Sequence, residues 1–242
     1  MDNALLILDL LSKHEELGAS EVARLMGMGK STAFRLLSTL EGRRFVSKTE
    51  NNKYRLGIHL VSIGSLVIHR MEIVRVVHPY LLNLSQQCNE TAHLVVWNDD
   101  TRVQFIDKVQ SSSSSIRMES MVGMCRRAHL TGTGKVLLAY QNEGAIEHYI
   151  KVVDFSPKTA HSITNGEQLL QSLEEIRRQG YGCDEDESEI GLTCFAAPIM
   201  DLSGHALAAI SVSGPGERMN ARRQELINLV KIAAAEISQS LQ

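Results

Sequence analysis

Between Thr131 and Lys135 the sequence reads Thr-Gly-Thr-Gly-Lys, a run that can turn backbone N–H groups toward an anion at the start of a helix. It is not a phosphate loop of the G-x-x-x-x-G-K type. His129 stands where the first glycine would be, and Val136 replaces the Ser/Thr that would hold magnesium. His129, Cys125 and Asp184 carry atoms that bind metals, but their spacing matches no zinc signature. No metal or cofactor is therefore expected. Cys194 with a histidine could in principle be a hydrolytic pair, yet no nucleophile motif surrounds it, and a buried cysteine ordinarily packs as a small apolar residue. No catalytic residue is expected and the chain does not read as an enzyme. What survives is a helix start suited to a carboxylate as well as to a phosphate.

A second constellation lies near the N-terminus. Ser31, Arg35 and Ser38 fall at i, i+4 and i+7, flanked by Thr32 and Thr39, so one helical face carries hydroxyls and an arginine with no acid before Glu41. Hydroxyls bond phosphates and base edges, and arginine can bond guanine O6 and N7 with two hydrogen bonds. Lys30 opens the same segment, and Arg43, Lys48, Lys53 and Arg55 follow it. Within residues 24–55 eight basic side chains face only Glu41 and Glu50. Residues 1–75 hold eleven Lys/Arg against eight Asp/Glu, and residues 76–242 hold fourteen against twenty, so the overall charge of −3 conceals a basic N-terminal part. Such a patch suits phosphate binding, although charge alone fits a solvated basic surface equally well.

These side chains need elements to hold them. Ala4, Ile7, Leu8 and Leu11 have helical spacing and predict a helix from about residue 2 to 14. Ser20 is the expected N-cap of a second helix with Val22, Ala23, Leu25 and Met26 inward. Gly27-Met28-Gly29 makes the turn, and a third helix over about 30–41 buries Ala33, Leu36, Leu37 and Leu40. Together these spell a helix-turn-helix. Two short alternating runs around Thr49 to Asn52 predict a β-hairpin directly after the third helix, which is a wing. From Gly57 to Arg75 an apolar helical pattern (Leu60, Ile63, Leu66, Val67, Ile68, Met71, Val74) reads as a linker that also pairs with a second subunit, or else packs on its own chain.

The remainder mixes strands and helices without βαβ alternation, which predicts an α+β domain with a mainly antiparallel sheet. Strands are expected at about 92–97, 102–109, 116–119, 181–185, 193–201 and 206–213. Helices are expected after Pro79, over 131–141, 143–151 and 166–179, and from 220 to 241. The serine run Ser111 to Ser115 reads as a loop. Four dispersed cysteines and the absence of any long apolar run or basic leader point to a reduced, cytoplasmic chain without a membrane span.

Six stretches resemble, in order, the IclR-type bacterial transcriptional regulators. They are Lys30 to Leu37 with Tyr54 to Gly57; Glu90 to Leu94; Gly123 to Ala139; Gly180 to Gly182 with Asp184 to Glu187; Gly191 to Pro198; and Ala209 to Pro215. The resemblance implies a winged helix-turn-helix at 1–56, a linker and dimerisation helix at 57–75, and a GAF-like effector domain at 76–242. It also implies a homodimer or homotetramer on a palindromic double-stranded operator, with a small organic acid as effector. Carried over by position, the effector site takes Met118, Arg126, His129, Gly132, Thr133, Asp184, Leu192, Cys194, Ser211 and Ser213. Alternation supports this, because Ser211 and Ser213 leave one strand in the same direction. Arg126 and Arg127 depart from the family pattern, which commonly has an apolar residue and proline there. If Arg126 faces the site, the effector carries an extra acidic group. Thr133 adds a hydroxyl where alanine is frequent.

Overall fold

The structure is a computed structural model that describes residues 2–110 and 120–241. The serine run, the expected strand at 116–119 and Met118 lie outside the described residues. The chain forms two compact units, Met1–Met71 and Glu72–Gln242.

The first unit runs through helix α1 (Asp2–Leu11), a two-residue strand β1 (Leu17–Gly18), α2 (Ala19–Leu25), α3 (Lys30–Gly42), strands β2 (Val46–Lys48) and β3 (Lys53–Leu56), and α4 (His59–Arg70). The three strands pair antiparallel in the order β1-β3-β2, with Val46 opposite Leu56 and Lys48 opposite Tyr54. Ile7, Leu11, Val22, Ala33, Leu37, Val46 and Tyr54 form the core. The apolar face of α3 is thus pinned against α1 and the wing, which leaves its hydroxyl face outside. The N-cap of α2 is Gly18, not the expected Ser20: the Glu21 carboxylate accepts the Gly18 N–H at 2.7 Å and closes the turn from the helix side. Strand β1 has no counterpart among the expected elements, since two residues carry no period. No residue of α4 is buried, and Val61, Leu66 and Val67 are each more than half exposed.

The second unit begins with α5 (Glu72–Cys88), so the 57–75 pattern is two helices separated at Met71, whose backbone is extended. Pro79 lies inside α5 rather than before it. Then come β4 (Thr91–Trp97), β5 (Arg102–Val109), β6 (Cys125–Arg127), a 3-10 turn (Ala128–Leu130), α6 (Gly132–Ala139), α7 (Glu143–Val152), α8 (Gly166–Gln179), β7 (Gly182–Glu185), β8 (Leu192–Met200), β9 (Ala206–Pro215), α9 (Gly216–Ala221) and α10 (Arg223–Ser240). The six strands make one antiparallel sheet in the order β6-β5-β4-β9-β8-β7. Alternation gives the sheet two apolar faces. Val95, Cys194, Ala196 and Ala209 face Val136 and Leu137 of α6 and Leu173 and Ile176 of α8. The intervening residues, Leu94, Phe195 and Ile210 among them, are buried on the side where α5 and α10 pack. Helix α8 has the ends its sequence spells: Asn165 accepts the Gln168 N–H at 2.9 Å, and Gly180 stops the helix at φ 76°.

Candidate functional site

Two rungs of the larger sheet build the floor of a cavity. Asp184 lies opposite Cys194, Cys194 opposite Ser213, and Ser213 opposite Thr91. Two residues along on the same face, Ser211 lies between Ala196 and His93. The start of α6 covers this floor: Thr131 is its N-cap and accepts the Gly134 N–H at 3.0 Å. The Gly132 and Thr133 N–H groups have no acceptor among the described residues. Phe105, Met124, Arg126 and Leu192 also line it, and its volume is about 60 Å³.

The structure brings together Arg126, Thr133, Asp184, Leu192, Cys194, Ser211 and Ser213 around this cavity. Gly132 stands behind the wall, where an added Cβ would meet Asp184, Cys183 and Cys194 at 3.3 Å. His129 lies in the core away from the cavity. Its backbone N–H and Nδ1 both meet the Tyr149 hydroxyl, at 2.9 and 2.8 Å. The hydroxyl oxygen accepts from the backbone N–H, and its own proton can be given to Nδ1 when the ring proton is on Nε2. Nε2 is buried and has no hydrogen-bond partner among the described residues.

Seven lining residues were not expected from sequence: His93, Phe105, Ser120, Met124, Thr131, Ser188 and Glu189. His93 is the most informative. It is 1% exposed, its Nε2 pairs with the Ser120 hydroxyl at 2.9 Å, and its Nδ1 is buried without a hydrogen bond among the described residues. Its place opposite Ser211 is a matter of register, which no local pattern reveals.

The electrostatics favour binding over chemistry. Burial pushes the Cys194 thiol up to about 12, so it stays protonated and is no nucleophile. Burial, with the Lys108 charge behind it, lowers His93 to about 3, so its ring is neutral. Burial also raises Asp184, whose oxygens accept the Glu187 and Ser188 N–H groups and the Ser188 hydroxyl. Asp184 thus fixes the loop that supplies Ser188 and Glu189. Lys135, the lysine that imitates a phosphate loop, is 3% exposed and bound to the Glu187 carboxylate. It has no free charge to offer a phosphate. No cluster of three or more metal-ligating side chains occurs among the described residues.

In the first unit Lys30, Ser31, Thr32 and Arg35 are exposed along α3, with Ser38 half-buried one turn on. Arg43 caps the C-terminus of α3. Lys48 and Arg55 are exposed on the wing, and Arg55 reaches Ser47 at 3.4 Å. Lys53 instead pairs with Glu16 at 3.1 Å, an intramolecular competitor for any phosphate. No helix among the described residues is long and apolar enough to cross a membrane.

Residues 65–239 match the family profile described as the C-terminal domain of the bacterial transcriptional regulator IclR, and residues 1–50 match the IclR helix-turn-helix domain. The chain is 33% identical over 237 residues to the HTH-type transcriptional regulator KdgR of Dickeya chrysanthemi, covering 97% of this chain and 77% of that protein. It is 31% identical over 219 residues to the transcriptional repressor IclR of Escherichia coli, covering 90% and 80%. Among solved structures, the Thermotoga maritima IclR matches with a TM-score of 0.77 at 34% identity, covering 99% of this chain and 97% of that one.

Proposed function

The chain belongs to the IclR family of bacterial transcriptional regulators, joining a DNA-binding helix-turn-helix to a C-terminal effector-binding domain, and we propose that its effector is a small organic acid held in the Ser211–Ser213 cavity. The observation that carries this reading is the cavity's chemistry. One guanidinium, the Thr133 N–H and a ring of hydroxyls line a space that also holds an imidazole nitrogen without a hydrogen bond among the described residues. A carboxylate suits Arg126 and the Thr133 N–H at the start of α6, where charge-assisted bonds are strongest. A further oxygen on the ligand suits Ser211, Ser213 and Thr133.

In this reading Lys30, Ser31, Thr32, Arg35 and Ser38 meet the DNA from α3, while Arg43, Lys48, Lys53 and Arg55 track phosphates. Two copies bind a palindromic operator, whose symmetry mirrors theirs. The acid binds two dimer arrangements with unequal affinity and so shifts operator affinity, a coupling of about 1–3 kcal/mol. The test is a fluorescence-anisotropy titration against DNA from upstream of the chain's own gene, with and without a panel of small carboxylic acids. Tight, salt-sensitive binding that one acid shifts by fivefold or more is expected, and Arg126→Ala should abolish the shift. Operator binding that no acid alters, or a response that Arg126→Ala leaves intact, would refute the assignment.

A further inference from the structure

At the edge of the larger sheet a second concavity, of about 490 Å³, opens beside β6, lined by Arg102, Arg127, Lys158, Asp154 and the apolar Leu130 and Val153. Arg102 lies directly opposite Arg127 in the β5–β6 ladder. Like charges in that position repel and destabilise a sheet, so the pairing breaks a local rule. Arg127 is compensated, since it binds the Asp154 carboxylate at 2.9 Å and the Ser156 hydroxyl at 3.0 Å. Arg102 and Lys158 have no ion-pair partner among the described residues. The nearby Asp99 carboxylate is occupied by Thr101, Asn98 and the Arg102 backbone. Two cations without an ion-pair partner among the described residues thus line one concavity with Leu130 and Val153.

We propose that this cleft is a second ligand site, taking a small polyanion that carries phosphate or several carboxylate groups. The anion would bridge Arg102 and Lys158 and relieve the Arg102–Arg127 repulsion, while its carbon skeleton rests on Leu130 and Val153. Its volume lies within the ordinary range of small-molecule sites. Arg126 lines both spaces, but the Ser211–Ser213 cavity contributes neither Arg102 nor Lys158, the two cations on which the second site rests.

The test is isothermal titration of the full-length protein with inorganic pyrophosphate and, separately, citrate, at constant ionic strength. At least one is expected to bind, and to bind tenfold or more weakly to the Arg102→Gln/Lys158→Gln double variant. Both side chains are exposed, so the variant should fold. Arg75→Gln/Arg178→Gln removes the same charge elsewhere and should change affinity less than twofold. Arg102→Gln alone should not lower the Tm of the anion-free protein, since it removes a repulsion. Pyrophosphate or citrate should raise the Tm of the wild type but not of the cleft double variant. Failure of both anions to bind would overturn the proposal, as would equal weakening in the two double variants. Loss of binding in Ser211→Val, with retention in the cleft double variant, would place the anion in the inner cavity and also overturn it.

Discussion

At the scale of single residues the decisive facts are which polar atoms are satisfied. Arg35 is exposed on α3, and in the proposed reading its guanidinium contacts a base. Arg35→Ala should weaken binding to the specific operator by about 1–3 kcal/mol and relax the preference at one base pair. Competition titrations with specific and random DNA would check this, and unchanged specificity would move the base contact to another residue. His93 and His129 make a different prediction. Burial, helped by Lys108 behind His93 and by Arg127 and Lys135 behind His129, lowers them to about 3 and about 4. The unfolded chain takes up these protons near pH 6.5 and the folded chain does not. Stability is therefore complete above about pH 6.5 and falls as pH drops toward the folded values, by about 2 kcal/mol per histidine at pH 5. Asp184 and Glu187, raised by burial, act in the opposite sense at lower pH. Comparing wild type with His93→Gln in urea at pH 7 and pH 5 cancels their contribution. A wild-type loss equal to that of the variant would contradict the neutral, buried imidazole.

At the scale of elements, the start of α6 is set by a close approach. A Cβ on Gly134 would collide with the Ala128 carbonyl and Cα. In an ordinary helix Gly→Ala stabilises by about 1 kcal/mol, but here it should cost about 2–3 kcal/mol and shift Thr133 within the cavity. Urea denaturation would measure the cost. A gain in stability would show that the turn before α6 can yield. The ends of α8 were legible in sequence because Asn165, Gln168 and Gly180 act within a few residues of one another. Strand β6 was not, since three residues Cys-Arg-Arg carry no alternation and owe their conformation to pairing with β5.

At the scale of the whole molecule, the apolar exposed face of α4 asks for a cover. Val61, Leu66 and Val67 are exposed, and in the proposed homodimer a second copy would cover them. Leu66→Glu with Val67→Glu should convert a dimer into monomers by light scattering and weaken operator binding more than tenfold. A variant that stays dimeric would place the contact elsewhere.

The sequence by itself determined the winged helix-turn-helix and the α+β effector domain, the polar face of α3, and seven residues that surround the inner cavity. These follow from local signals: helical spacing, strand alternation, caps, and motifs whose order matches a family. Tertiary structure alone decided that His93 stands opposite Ser211, that His129 is spent on Tyr149, that Lys53 is engaged by Glu16, and that Arg102 faces Arg127. Each of these pairs residues distant in the chain, through strand register or packing. No local pattern encodes register, because a slip of one residue would turn every side chain of a strand to the other face.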